Sequence, residues 1–425
     1  MITTNELYTI FLQSSGVCTD TRTIALGNLF FCLKGENFNG NTFAAQALEK
    51  GASFVVIDEP EYQINEHCIL VNDVCSCLQE LAHVHRKNLH IPVIGITGTN
   101  GKTTTKELIH AVLSSTYKVH ATQGNLNNHI GVPLTLLGID KENTQIAIIE
   151  MGANHVGEIG ELCQIAEPNY GIITNIGKAH LEGFGSIEGI IQTKSALYQF
   201  IANTDGQLFV HSEDELLMKL SEGMKRILYG KSGDYKGICS NDELLLNLYL
   251  PDYETTIPTQ LTGGYNFSNV MAAVAVGLHF SVPIEKIKSS LSAYIPTNNR
   301  SQLIKKDGKT IIIDAYNANP SSMEQAICNL SRLQLPAKTL LLGDMMELGE
   351  NSLNEHQQIV DLIRKLSFDY VYLLGNEFAK TDADASWLYH DYDQLKMALE
   401  KELPENATLL IKGSRSMKME RFLEM

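Results

Sequence analysis

A short apolar run, Val93-Ile94-Gly95-Ile96, leads straight into Thr97-Gly98-Thr99-Asn100-Gly101-Lys102-Thr103-Thr104-Thr105. Leu108, Ile109, Val112 and Leu113 then fall on one face of the helical pattern that follows. Strand, glycine-rich turn and helix in that order constrain the fold more than any other segment. Glycine lets backbone wrap an anion without Cβ clashes, and amides at a helix N-terminus point at phosphate oxygens. On this reading Gly98, Thr99, Asn100, Gly101 and Thr104 cradle phosphates. Lys102 reaches the β- and γ-phosphates, and the Thr103 hydroxyl ligates Mg²⁺. The spacing departs from the usual phosphate-loop motif at one place: position 96 is Ile, and Gly95 comes one residue early. The segment implies a nucleoside triphosphate site.

Around it the pattern β-loop-α repeats. The runs 145–149 and 170–176 are nearly continuous and apolar, as parallel strands buried on both faces must be, so the middle reads as a doubly wound α/β domain. Residues 205–262 are less regular, with strand-like alternation at 244–250, and are assigned to the same domain. Upstream, 28–33 and 53–57 read as strands. Residues 42–50 read as a helix stopped by Gly51, and 75–89 as a helix with Leu78, Leu81, Ala82 and His85 on one side. Pro92 restarts the chain. After residues 294–299, strand-like runs at 310–313, 339–342, 370–374 and 408–411 alternate with helices, a smaller Rossmann-like unit. It carries no G-x-G-x-x-G, which argues against a nicotinamide dehydrogenase. The expected division is 1–88, 89–296 and 297–425.

Composition sets the outer limits. Of 425 residues, 44% are hydrophobic and 19% charged, an ordinary globular balance. A formal net charge of −16 repels nucleic acid and anionic membrane, so neither partner is expected. No apolar run approaches the ~20 residues that span a bilayer, and the N-terminus lacks signal-peptide features. The eight cysteines form no CxxC pair, which is the pattern of reduced thiols in a cytoplasmic protein.

Three further places carry candidate chemistry. Glu150 ends a strand beside the phosphate loop, where Mg²⁺ is needed, although a solvated strand-end acid reads the same way. His180 follows the next strand, and a lone histidine serves structure as readily as ligation. Lys194 falls inside an apolar helical stripe of Ile187, Ile190, Ile191, Leu197, Tyr198 and Ile201. A lysine there is either paired, modified, or snorkelling at the stripe's edge. The loops at 314–322, 343–349 and 412–415 end strands of the last unit at the usual ligand edge of an open sheet. In the first of them Asn319 is a candidate helix cap ahead of Pro320.

Taken together, these residues resemble the Mur ligases, ATP-dependent amide-forming enzymes of peptidoglycan precursor synthesis. The resemblance runs through Thr19-Asp20-Thr21-Arg22, Gly98 to Thr104, Gln123 to Asn128, Glu150-Met151-Gly152, Asn175 to Gly185, Gly264 to Asn269, Asp314 to Pro320, Gly343 to Gly349 and Lys412 to Arg415. Tyr316 to Pro320 and Gly343 to Gly349 point to the branch that joins D-alanyl-D-alanine to a UDP-N-acetylmuramoyl-tripeptide. The Asp-Asn-Pro-Arg type of motif found in diamino-acid-adding ligases is missing. The resemblance implies an N-terminal UDP-sugar domain, a central ATPase and a C-terminal domain receiving the amine, with an acyl phosphate as intermediate. It implies ATP and two Mg²⁺ ions, one near Thr103 and Glu150, the other near His180 and a carbamylated Lys194. It further implies Asn266, Asn269, Arg300 and Asp314 as nucleotide contacts, and Thr19, Asp20, Thr21 and Arg22 as uridine-diphosphate contacts. Asn317 and Asn319 would face substrate. Two departures stand out: Asn298-Asn299-Arg300 replaces a Gly-Arg pair, and Ala315 replaces a common Asp. A monomer is expected. The rival readings are another Mur ligase, adding a diamino acid or glutamate, and a nucleotide-operated switch whose outer domains bind a protein.

Overall fold

The computed structural model describes residues 2–179, 181–240, 242–297 and 299–424, with Leu181 described by its backbone alone. The chain builds three main α/β layers in sequence order. The first is a four-stranded parallel sheet in the order Val17–Cys18, Leu29–Phe31, Phe54–Ile57, Cys68–Leu70. Helix Val74–Lys87 follows it, burying Leu78, Leu81, Ala82 and His85 as the sequence pattern requires. The helix expected over 42–50 starts as a 3-10 turn at Gly40–Phe43 and continues as Ala44–Glu49. Gly51 behind it has φ 102°, the left-handed stop.

The central sheet has seven parallel strands: Tyr235–Lys236, Arg226–Gly230, Gln207–His211, Tyr170–Ile173, Val93–Thr97, Ile146–Glu150 and Val119–Ala121. Every residue of Val93–Thr97 and Ile146–Glu150 is buried, which is why these runs are apolar throughout rather than alternating. Ile94 and Ile96 pack with Leu108, Ile109 and Val270 on one face. Val93, Ala147 and Ile149 pack with Ile159, Leu162 and Leu197 on the other.

Residues 205–262 divide in a way the sequence pattern did not anticipate. Three strands extend the central sheet. Ile238–Cys239, Leu245–Leu250 and Thr255–Thr262 form a separate antiparallel sheet. Leu246, Leu248, Leu250, Ile257 and Leu261 join the central core, so a half-buried sheet lies against the doubly wound one. The last unit is a six-stranded sheet in the order Gln302–Lys306, Lys309–Asp314, Thr408–Lys412, Lys338–Gly343, Tyr370–Leu374, Leu388–Tyr389, antiparallel only at its first pair. Its two outermost strands were not expected, because one is polar and partly exposed and the other only two residues long. Among the described residues no helix is long and apolar enough to cross a membrane.

Candidate active site

The turn after Val93–Thr97 is shaped by two glycines. Gly98 has φ 147°, and a Cβ there would lie 1.9 Å from Thr174 Oγ1. Gly101 has φ 79°, and its Cβ would meet Asn269 Oδ1 at 2.6 Å. Gly95 serves packing instead: a Cβ on it would lie 2.7 Å from the Met151 methyl. The motif's departure at position 96 is thus accommodated, since Ile96 is a buried strand residue and the turn begins later. Helix Lys102–Ser114 starts at the loop, leaving the amides of Lys102, Thr103 and Thr104 without intrahelical acceptors. The amides of Thr99 and Asn100 instead donate to the backbone and side-chain oxygens of Asn175, at 2.9 and 3.0 Å.

Two lysines converge on this loop. Half-buried Lys102 folds back, its Nζ donating to the carbonyls of Gly98 and Thr99 at 2.7 and 3.1 Å. Lys194, 3% exposed, donates to the same Gly98 carbonyl at 3.1 Å. Burial, and after it the charge of Lys102, pushes the Lys194 pKa well below the usual lysine range. Desolvation lowers Lys102 as well. Within the expected stripe Ile190, Leu197, Tyr198 and Ile201 are buried with Lys194, while Ile187 at the helix start is 36% exposed.

Glu150 lies opposite. It is 1% exposed, and its Oε1 accepts from Thr103 Oγ1 at 3.2 Å and from Asn127 Nδ2 at 2.8 Å. Its Oε2 is buried with no hydrogen-bond partner. An unpartnered carboxylate oxygen beside a threonine hydroxyl is a hard-oxygen donor set that fits Mg²⁺, with phosphate and water oxygens completing the shell. Among the described residues no cluster of three or more His, Cys, Asp or Glu forms a protein-only metal cage. His180 lies outside the described residues. Lys194 as an ammonium donates and cannot ligate; only a modified side chain could.

The phosphate loop and Glu150 form one wall of a cavity of ≈ 540 Å³, with Arg300, Asp314, Tyr316, Asn317, Asn319 and Lys412 from the third sheet on the other. Asn266 and Asn269 also line it, yet their amides bond each other at 2.9 Å, and Asn269 accepts from Thr105 Oγ1 at 3.0 Å beneath the loop. Asp314 pairs with buried Lys412 at 2.5 Å and accepts from the Ser301 amide at 3.2 Å. The Arg300 guanidinium stacks 3.6 Å from the Tyr316 ring centroid, and its Nε is buried without a partner. Flanking Arg300, Asn299 and Ser301 take φ of 56° and 51°, the left-handed geometry that a glycine before the arginine would adopt freely. Asn319 caps helix Pro320–Arg332, accepting from the Ser322 amide at 2.9 Å, and its Nδ2 donates to Asn100 Oδ1 at 2.8 Å. In this arrangement its side chain engages the phosphate loop rather than open solvent.

Thr19, Asp20, Thr21 and Arg22 are not in this cavity. They line a second one of ≈ 440 Å³ with Phe30, Phe31, Leu33, Phe38, Gly40 and Phe43. Arg22 pairs with Asp20 at 2.6 Å, and that hydrogen bonding holds the Asp20 carboxyl down to about 2. The rings of Phe38 and Phe43 stack 5.5 Å apart at 20°. Sequence reasoning missed both rings, although the Phe-x4-Phe spacing across a tight turn was available as a signal.

Comparison with known proteins bears on the whole chain. Three family descriptions match in order: "Mur ligase family, catalytic domain" over 13–95, "Mur ligase middle domain" over 96–277, and "Mur ligase, glutamate ligase domain" over 299–415. The UDP-N-acetylmuramoyl-tripeptide–D-alanyl-D-alanine ligase of Bacillus subtilis is 39% identical, with 96% of this chain and 92% of that protein covered. The ligase of the same name from Synechocystis is 34% identical, covering 95% and 90%. Among solved structures, MurF of Acinetobacter baumannii superposes with a TM-score of 0.84 at 31% identity, covering 96% and 92%. MurF ligase of Thermotoga maritima, solved in complex with ADP, gives 0.84 at 28% identity, covering 98% and 97%.

Proposed function

This chain belongs to the Mur ligase family, and from that premise we propose that it joins D-alanyl-D-alanine to a UDP-N-acetylmuramoyl-tripeptide with cleavage of ATP. The observation that carries the reading is similarity over nearly the full length to ligases of that name. The geometry agrees with it: one cavity is walled by a phosphate loop on one side and by the third sheet's loops on the other. A phosphoryl donor and an attacking amine can therefore meet without leaving the protein.

The chemistry takes two steps. The terminal carboxylate of the tripeptide attacks the γ-phosphorus, forming an acyl phosphate as the bond to ADP breaks. The dipeptide's free amine then attacks the acyl carbon, and inorganic phosphate leaves. Lys102 moves from the Gly98 and Thr99 carbonyls onto the triphosphate, and the free amides of the loop helix hold its oxygens. Thr103 and the unpartnered Oε2 of Glu150 would hold one Mg²⁺. His180 and a carbamylated Lys194 would hold a second. The cation, when bound, neutralises charge between the triphosphate and the incoming carboxylate. Arg300, with its free Nε, and Asp314 contact the nucleotide from the third sheet. Asn317, on the loop after Asp314, faces the amine donor. The second cavity takes the UDP end, with Arg22 exchanging Asp20 for phosphate. The domains divide near residues 88 and 296, and one chain lines the whole cavity, so the enzyme acts as a cytoplasmic monomer.

Phosphate release tests this. Turnover should require both the UDP-muramoyl tripeptide and D-alanyl-D-alanine, and Lys102→Ala should lower it about 100- to 1000-fold. Turnover with a diamino acid on the dipeptide precursor would move the chain to another branch. Slow hydrolysis stimulated only by a protein partner would favour the switch.

A further inference from the structure

We propose that Asn127 is a positioning residue for the metal: it fixes the Glu150 carboxylate so that one oxygen is held by the protein and the other is left for a divalent cation. The inference rests on the reading above that Glu150 binds the metal.

A buried carboxylate with both oxygens free could rotate about its last torsion and present either one. Here both available donors converge on Oε1, Thr103 Oγ1 at 3.2 Å and Asn127 Nδ2 at 2.8 Å, and Oε2 is left buried and unpartnered. Thr103 would itself turn toward a cation, which leaves Asn127 as the donor that keeps Oε1 occupied in the loaded state.

The surroundings fix Asn127 in turn. Its carbonyl accepts from the Gly152 amide at 2.7 Å, and its own amide donates to the Asn125 carbonyl at 2.8 Å. A Cβ on Gly152 would lie 3.0 Å from Asn127 Cγ and Oδ1, so the strand after Glu150 leaves room for this amide. Glu150's backbone is held separately, its amide donating to Thr122 Oγ1 at 3.0 Å. Backbone and carboxylate are thus anchored by different residues, and only Asn127 fixes the carboxylate's rotation without being a ligand. Supporting groups of this kind typically change metal affinity about 10- to 100-fold.

The test is Mn²⁺ binding by electron paramagnetic resonance on the full chain with ADP, without turnover. Asn127→Ala should weaken Mn²⁺ about tenfold and raise the Mg²⁺ concentration for half-maximal activity, with ADP affinity measured in chelator unchanged. Asn128→Ala is the control for loop damage, because Asn128 Oδ1 caps the Ile130 and Gly131 amides without touching Glu150. It should lower the melting temperature and leave Mn²⁺ affinity within about twofold. Equal Mn²⁺ loss in both variants, or none in Asn127→Ala, overturns the proposal. Glu150→Gln separates the two levels. If it leaves Mn²⁺ affinity intact, the metal reading itself fails; if it abolishes binding while Asn127→Ala does not, only the positioning role fails.

Discussion

Lys102 and Lys194 crowd a single carbonyl, and that contact has a chemical consequence. Two ammonium groups on Gly98 O repel each other, and burial already favours the neutral amine of Lys194. A neutral amine is the form that adds CO₂, and the resulting carbamate would offer oxygens beside the triphosphate instead of a positive charge. Lys194→Ala should therefore lose the chemical step more than ATP affinity, and acetate at high concentration should restore part of the rate. Lys194→Arg should not be rescued, because guanidinium keeps its charge and fills the space. Single-turnover rates with and without acetate decide it; an unimpaired Lys194→Ala would refute the modification. This residue was legible in the sequence because a lysine in phase with Ile190, Leu197 and Tyr198 violates the pattern of a buried helical face. Asn319 was legible only as a cap. Its bond to Asn100, 219 positions away, leaves no local signature, just as nothing in Asp20-Thr21-Arg22 announces that the two charges pair with each other.

At the scale of elements, parallel strands buried on both faces could be read directly, since Ile146–Glu150 and Thr408–Lys412 admit almost no polar residue until the end that meets ligand. Edge strands could not, because Gln302–Lys306 is half-exposed and charged, and its pairing with Lys309–Asp314 depends on a turn at Asp307 and Gly308. The antiparallel sheet around Leu245–Leu250 showed its alternation but not its placement, which is decided by core contacts far along the chain. A further unanticipated element is the clasp at the end of helix Val74–Lys87. Arg86, 6% exposed, donates to the carbonyls of Ala166 and Glu167 at 2.8 Å and of Leu89 at 3.0 Å. It binds the end of this helix to the turn after Glu158–Ala166, where Glu167 takes φ 38°. Arg86→Leu would keep the bulk but strand three buried acceptors, each costing roughly 1–3 kcal/mol when unpaired. Allowing for partial rescue by water, urea unfolding should report a loss of about 3 kcal/mol, and Arg86→Lys should recover only part of it. A loss below about 0.5 kcal/mol, the range of ordinary surface changes, would mean the clasp is ornamental.

The molecule as a whole must bring two sheets onto one set of reactants, and few groups hold them there. Asn319 reaches Asn100 on the phosphate loop, and the Lys178 amide donates to Ser321 Oγ at 3.0 Å. Lys178 Nζ pairs with Glu355 Oε1 at 2.8 Å. That last pair is asymmetric: the lysine side chain is 46% exposed and the glutamate 6%. A carboxylate buried this far is tolerated while its cation is present and strongly unfavourable once it is removed. Lys178→Met should thus do more than delete an attraction. It should drive the third sheet away until Glu355 regains water, shifting the population toward an open arrangement. X-ray scattering of Lys178→Met should give a larger radius of gyration than the parent. The KM for D-alanyl-D-alanine should rise several-fold more than the dissociation constant of an ATP analogue, because the dipeptide depends on the two sheets meeting. The double variant Lys178→Met, Glu355→Leu removes the stranded charge together with its partner, and should recover most of the compact form. Identical scattering for the parent and Lys178→Met would show that the asparagine contact and shape alone keep the cavity closed.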